Sequence, residues 1–136
     1  MSFSIKYYND DKHIFYFNLF SEIVDYDDIK CLQCNGGTFL EKFKLLNLPK
    51  NLIELNCIFN GMSSLPKLPD VLQLLYCGGN KLTKLPKLPN SLIELYCRNN
   101  KLALLPELPN SLQFLDCSNN QFIKKQEYKY KYIKCF

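Results

Sequence analysis

Four cysteines, Cys57, Cys77, Cys97 and Cys117, stand twenty residues apart, with Cys34 upstream of them. Thiolates bind zinc and drive redox chemistry, so such a row first suggests a metal centre. Its spacing argues otherwise. If each thiol occupies the same place in successive strands ~4.8 Å apart, the four span roughly 14 Å. A tetrahedral zinc ion needs all four sulfurs within ~2.3 Å. Cys31 and Cys34 form a C-x-x-C pair, yet on a strand that spacing sends them to opposite faces. The expectation is free thiols acting as small apolar fillers of a narrow core, with no metal and no cofactor. His13 is the only histidine and lies far in sequence from any cysteine or carboxylate cluster, which leaves no catalytic dyad. Gly36-Gly37 and Gly78-Gly79 lack the lysine and helix start of a phosphate-cradling loop and read as flat spots beside a strand. No catalytic residue is expected.

The elements that must position these residues follow from the same period. Asn60, Asn80, Asn100 and Asn120 recur every twenty residues, as do Pro49, Pro69, Pro89 and Pro109, and the phase holds from Leu48 to Asn120. A period of this length predicts a solenoid in which each unit buries its apolar face against its neighbours. Each unit carries L-x-x-L-x-C-x-x-N-x-L, as in Leu92, Leu95, Cys97, Asn100 and Leu102, followed by L-x-x-L-P-x-L-P. Leu95 and Cys97 are two apart and share one face of an extended segment, while Glu94, Tyr96 and Arg98 share the other. That gives one short parallel strand per repeat. Leu85-Pro86-Lys87-Leu88-Pro89 cannot be a regular helix, because its prolines remove amide donors and push the preceding residues to extended geometry. It predicts a polyproline-like convex side, with Leu85 and Leu88 inward and Lys87 in water. Each asparagine sits where the chain leaves the strand, so its amide can donate to and accept from backbone groups that the turn leaves unpaired. The predicted fold class is mainly β: a repeat solenoid with one short parallel strand per repeat and an extended, polyproline-like convex side.

Residues 29–121 hold about five repeats. The first is degenerate: Ile29, Leu32, Cys34 and Phe39 match the pattern, Gly37 replaces the asparagine, and three extra residues fall around 41–46. Residues 1–28 contain two aromatic-rich extended runs around Asn9-Asp10-Asp11-Lys12, which predict a hairpin cap. Residues 122–136 alternate Tyr128, Tyr130 and Tyr132 with Lys129 and Lys131, as a capping strand would. The formal net charge of +4 is divided unevenly: residues 1–28 carry two lysines and six acids, a net of −4. Residues 122–136 carry five lysines and one glutamate, a net of +4. Lysines among aromatics suggest a nucleic-acid contact, but the repeats themselves hold a single arginine and no basic stripe. Nucleic acid is not the expected partner. No apolar run reaches the ~20 residues of a membrane span, and the first residues lack a secretory-signal pattern. The expected location is intracellular and cytoplasmic.

Leu85-Pro86-Lys87-Leu88-Pro89-Asn90-Ser91-Leu92 resembles the repeats of bacterial type III secreted effectors, within the short, proline-containing class of leucine-rich repeat proteins. The cysteine- and asparagine-rich variant is similar to repeat proteins encoded by giant viruses of amoebae. The resemblance implies recognition of another protein along the concave sheet. Some effectors of that class are ubiquitin ligases whose catalytic cysteine lies in a separate, larger domain after the repeats. The sequence here ends at Phe136 without one, so no enzymatic activity is expected.

The repeat projects side chains in rows on the exposed face of the strands. Glu54, Leu74, Glu94 and Phe114 form one row, Asn56, Tyr76, Tyr96 and Asp116 the next, and Arg98 stands in a third with Ile58, Gly78 and Ser118. Two tyrosines, a phenylalanine and a leucine make this face more apolar than solvation requires, and tyrosine and arginine concentrate binding energy at interfaces. The expected function is a non-catalytic scaffold that binds a protein on this concave face. The alternative is a self-associating structural protein joined through its acidic and basic ends.

Overall fold

The computed structural model describes residues 4–8, 15–17, 26–35, 48–122 and 132–134. Eight strands form one sheet: β1 (Ser4–Tyr8), β2 (Phe15–Phe17), β3 (Cys31–Asn35), β4 (Glu54–Asn56), β5 (Leu74–Tyr76), β6 (Glu94–Tyr96), β7 (Phe114–Asp116) and β8 (Tyr132–Lys134). Their order is β2-β1-β3-β4-β5-β6-β7-β8. β1 runs antiparallel to both β2 and β3, pairing Ile5 with Phe17 and with Cys34. From β3 to β8 every pairing is parallel. The twenty-residue period appears directly in the register, with Leu55 opposite Leu75, Leu75 opposite Leu95 and Leu95 opposite Leu115. The chain is a solenoid with one short strand per repeat.

Each repeat closes its core with the six positions marked by the sequence pattern. In the third full turn, Leu82, Leu85, Leu88, Leu92, Leu95 and Cys97 are all buried, and Lys87 is exposed between the two prolines. The proline segments carry no helix. They turn back into the strand through a tight bend in which Leu52, Leu72, Leu92 and Leu112 N–H groups donate to the carbonyls of Pro49, Pro69, Pro89 and Pro109 at 3.1–3.2 Å. Proline serves at the head of such a bend because it sets φ and has no N–H to leave unpaired. Ahead of the array, the short 3-10 turn Tyr26–Asp28 is tied to the first full repeat by Asp27, whose carboxylate lies 2.8 Å from Lys50 Nζ.

The asparagines stitch the turns together. Asn100 Nδ2 donates to the carbonyls of Cys97 at 2.9 Å, Cys77 at 3.0 Å and Arg98 at 3.3 Å. Its Oδ1 accepts the Leu82 N–H at 3.0 Å. Asn80 repeats the arrangement with Cys77, Cys57 and Gly78 as acceptors and Met62 N–H as donor, and its Oδ1 also takes Asn60 N–H at 3.1 Å. Asn120 does the same one turn on, with Leu102 as donor. At the first rung Asn60 reaches Cys34 and Ile58 carbonyls, while its buried Oδ1 has no partner among the described residues. Each amide thus satisfies backbone groups in its own turn and in the turn before.

The thiol row of the core is as the spacing requires, with one exception. Cys34, Cys57, Cys77 and Cys97 are free and buried, and Cys31, buried as well, stands in the row of Glu54. Burial raises the Cys57 and Cys97 thiols to about 12 and pushes Cys77 well above its ordinary value, so none carries the thiolate that metal binding or redox attack requires. Cys117 corrects the expectation of free thiols throughout: it is buried but disulfide-bonded. Recurrence cannot reveal this, because Cys117 stands in the same twenty-residue phase as Cys57, Cys77 and Cys97. Its sulfur finds a partner outside the described residues. The expected distortions around Gly37, Phe39 and residues 41–46 also lie outside them, as do His13, Tyr128 and Tyr130.

Replacing Asn100 with Ala strips the Leu82 N–H and the Cys77 and Cys97 carbonyls of a buried partner at one stroke. The expected loss is about 1–3 kcal/mol. Asn100→Asp loses at least as much at neutral pH, because a carboxylate oxygen then faces three carbonyl oxygens. Urea melts of the two variants measure both, and a loss below ~0.5 kcal/mol for alanine would be that of an ordinary surface turn residue.

Candidate functional site

The strands are only three residues long, and their burial alternates: in β4, β5 and β6 the central leucine is buried and its two neighbours are half-buried. The neighbours therefore point away from the core, onto an open sheet face. Because the pairing is parallel and in register, they stand in straight rows. One row runs Cys31, Glu54, Leu74, Glu94, Phe114, and the other Gln33, Asn56, Tyr76, Tyr96, Asp116. At the C-terminal end of the sheet β8 adds Tyr132 and Lys134 to these rows by register.

The aromatic residues do more than line up. Tyr76 and Tyr96 stack with ring centroids 4.9 Å apart and 29° between planes. Tyr96 then stacks diagonally on Phe114 of the other row, at 4.6 Å and 22°. The result is a continuous three-ring column crossing β5, β6 and β7 on the open face. Stacked aromatic pairs of this geometry add about 0.5–1.5 kcal/mol beyond area burial. Tyr76 Oη donates to Glu94 Oε2 at 3.2 Å.

Acids surround the column. Burial, the Glu94 charge, the Glu94 hydrogen bond and then Glu54 raise the Tyr76 phenol from 10.0 to about 12. Burial, followed by the charges of Glu94 and Asp116, raises that of Tyr96. Asp116 itself is buried, and its Oδ1 accepts the Ser118 N–H at 3.2 Å and Ser118 Oγ at 2.7 Å. It braces the exit of β7 as well as colouring the field. Asn56 turns back in the same way, taking the Ile58 N–H on its Oδ1 at 3.3 Å.

One residue beside these rows escaped the sequence reading. Phe59 is 68% exposed and adopts φ of 55°, left-handed geometry that costs an ordinary residue roughly 1–2 kcal/mol. The equivalent places hold Gly79 (φ 67°), Asn99 (φ 55°) and Asn119 (φ 55°), the residue types that tolerate it. Phenylalanine as the odd member of that column was the available signal. Its ring lies over Gly79, where an added Cβ would fall 2.2 Å from Phe59 Cδ1. Gly78 in turn lies beneath Arg98, whose Cγ would be 3.3 Å from an added Cβ. The flat spot expected at Gly78-Gly79 is thus bounded by an aromatic ring on one side and a guanidinium stem on the other.

Among the described residues, no three His, Cys, Asp or Glu side chains converge as a metal site, and no helix is long and apolar enough to cross a membrane. On the proline side, a shallow open depression of about 490 Å³ lies between Leu88, Pro106 and Pro109. Lys87, Asn90, Glu107 and Asn110 also line it. The open face carries a stacked aromatic column with the Glu94 carboxylate bonded at its edge.

Phenol ionisation gives a direct check on the acidic setting of the column. A folded-state value above the unfolded ~10 means that stability is full below pH ~10 and is lost as pH rises through about 12. Glu94→Gln removes one charge and should bring the Tyr76 ionisation downward. Tyrosine-resolved NMR titration measures it, and a wild-type Tyr76 ionising at ~10 or below would contradict the arrangement.

No protein-family model matches the sequence, and no curated protein matches it. Solved structures do. The leucine-rich repeat domain of a Shigella effector aligns over 78% of this chain at 32% identity with a TM-score of 0.67. YopM from Yersinia enterocolitica aligns over 81% at 28% identity and 0.71, and YopM from Yersinia pestis, described as a leucine-rich effector protein, over 76% at 33% and 0.67. The chain spans 48%, 24% and 30% of those three chains, under half the length of each. With its twenty-residue register, its proline segments and its parallel sheet, the chain has the leucine-rich repeat solenoid fold, and its repeats resemble those of these bacterial effectors.

Proposed function

We propose that this protein is a non-catalytic interaction scaffold that binds a protein partner on the open sheet face, the concave side in solenoids of its class. The observation that carries the reading is the stacked column of Tyr76, Tyr96 and Phe114, half-buried on the side of the strands opposite the core. Aromatic anchors held rigid before contact lose little side-chain entropy on binding, and tyrosine is among the residues in which interface energy concentrates. Glu54, Asn56, Leu74, Glu94 and Arg98 surround the column as the rim; Asp116 acts behind it through charge and through its hold on Ser118. Residues 1–28 and 122–136 serve as caps that close the two ends of the array.

Replacing Tyr76, Tyr96 and Phe114 together with Ser should abolish capture of the partner from the native cell, while the far-ultraviolet circular dichroism of the inward Leu and Cys stack persists. Undiminished capture by the folded variant would refute the face assignment. The outer strands of the sheet are β2 and β8, so association of copies end to end is the competing use of the molecule. Sedimentation of the wild-type chain at low and high salt separates the two, since a contact between opposite charges weakens as the screening length shrinks.

A further inference from the structure

The last strand is supported differently from the others. Residues 78–97 contain five leucines and two prolines, whereas residues 118–134 contain neither residue type. The stretch that leads into β8 therefore lacks the side chains that close the core of each full repeat. Its length differs too, since β8 follows β7 by eighteen residues, Phe114 to Tyr132. What this end of the array has instead is a disulfide at Cys117.

The register names the partner of that sulfur. β7 and β8 are parallel, with Phe114 opposite Tyr132, Leu115 opposite Ile133 and Asp116 opposite Lys134. One further step sets Cys117 opposite Cys135. The same step aligns the earlier cysteines: Leu32 lies opposite Leu55, Leu55 opposite Leu75 and Leu75 opposite Leu95, and two residues beyond each stand Cys34, Cys57, Cys77 and Cys97. Backbone bonds obey it as well. The N–H groups of Cys57, Cys77 and Cys97 donate to the carbonyls of Tyr76, Tyr96 and Asp116, each the residue before the next cysteine. Neighbouring strands stand ~4.8 Å apart, inside the roughly 4.4–6.8 Å between Cα atoms that a disulfide bridges. Of the seven cysteines, Cys34, Cys57, Cys77 and Cys97 are thiols. Cys31 stands on β3, four strands from β7, about 19 Å away. Cys135 remains.

We propose that Cys117 is bonded to Cys135 and that this bond is a redox-sensitive clip, which fastens β8 to the array when oxidised and releases it when a small thiol reduces it. The turns tied by asparagine stay folded in both states. The chemistry is thiol–disulfide exchange with a reductant of the glutathione type. Cys117 is 1% exposed, so the attacking thiolate meets the Cys135 sulfur. The Cys117–Cys135 bond breaks as a mixed disulfide forms, and Cys117 leaves as a thiolate and takes up a proton. A second reductant thiolate then displaces Cys135, which is protonated in turn. Two reductant thiols become one disulfide, and two electrons and two protons pass to the protein. The thiols behind Cys117 take no part, because burial keeps Cys97, Cys77 and Cys57 protonated. A reducing compartment holds such bonds open and an oxidising one lets them persist. The clip therefore sets the extent of the sheet by compartment. Closed, the register positions of Tyr132 and Lys134 continue the two rows of the open face; open, the rows end at Phe114 and Asp116.

The test equilibrates the full chain with mixtures of reduced and oxidised glutathione, quenches it in acid, and maps alkylated peptides by mass spectrometry. Amide exchange is followed at both extremes. The oxidised chain should yield a linked Cys117–Cys135 peptide that is absent from the reduced chain. In the reduced chain the Cys117 amide, which the same step directs onto β8, should exchange at least about tenfold faster, while the Cys77 amide keeps its rate. Cys135→Ser should show the reduced pattern at every glutathione ratio, and reduction of the wild-type chain supplies the comparison if that variant fails to fold. Linkage to another cysteine, no linkage in the most oxidising mixture, or a Cys117 amide equally protected with the bond open would overturn the proposal. Loss of Cys77 protection on reduction would overturn it too, since the bond would then hold the whole array and not its last strand.

Discussion

A buried amide that closes the gap between one turn and the next is the interaction on which the whole molecule depends. Strands of three residues cannot hold a sheet together alone, because the chain leaves each one at once and strands its backbone groups in the core. Unpaired, each such group costs on the order of 1–3 kcal/mol. Asn80, Asn100 and Asn120 take up three carbonyls and one or two amides apiece, in two turns at once. No other side chain has both donors and an acceptor at that reach: leucine has neither, and aspartate has no donor. Length added elsewhere in the turn does not break the contact, since Asn60 still reaches the Cys34 carbonyl across a unit three residues longer.

Register then becomes surface. With every turn locked in phase, the two outward positions of each strand form rows, and the choice of residue in a row is free of the core's demands. The rows hold acids and aromatics where solvation alone would accept any polar residue, and the aromatics stack across strands into one column. The same locking explains the local strain. The bend after each strand needs left-handed geometry, supplied by glycine or asparagine in three turns and by Phe59 in one. Phe59 is tolerated because its ring lies flat over Gly79, where any Cβ would collide with it.

Most of this was legible in the sequence because translation along a solenoid maps residue number onto position. Leu95, Cys97, Asn100, Leu85 and Leu88 were assigned inward by spacing alone, and each is buried. The rows Glu54–Phe114 and Asn56–Asp116 follow from the same arithmetic. Contacts that break translation were not legible. The Tyr96–Phe114 stack is diagonal, and a row-by-row reading pairs Tyr96 with Tyr76 and Asp116 only. β8 follows β7 by eighteen residues, Phe114 to Tyr132, so the period that found the other strands misses its register. Cys117 looks identical to Cys57, Cys77 and Cys97 in spacing, yet it alone of the four is bonded. Asp116 reads as a rim carboxylate until its bonds to Ser118 are seen.

Amide hydrogen exchange at Met62, Leu82 and Leu102 tests the ladder most directly, since each N–H donates to the side-chain oxygen of an asparagine eighteen residues ahead. They lie in turns, where amides ordinarily exchange through local opening at little cost. If the asparagines hold the turns together, these amides exchange only with global unfolding, with the same free energy as the amides of Cys77 and Cys97, which bond the next turn just beyond β5 and β6. Fast exchange of Leu82 and Leu102 while Cys77 and Cys97 stay protected would show that the strands stand without the ladder, and would contradict the account.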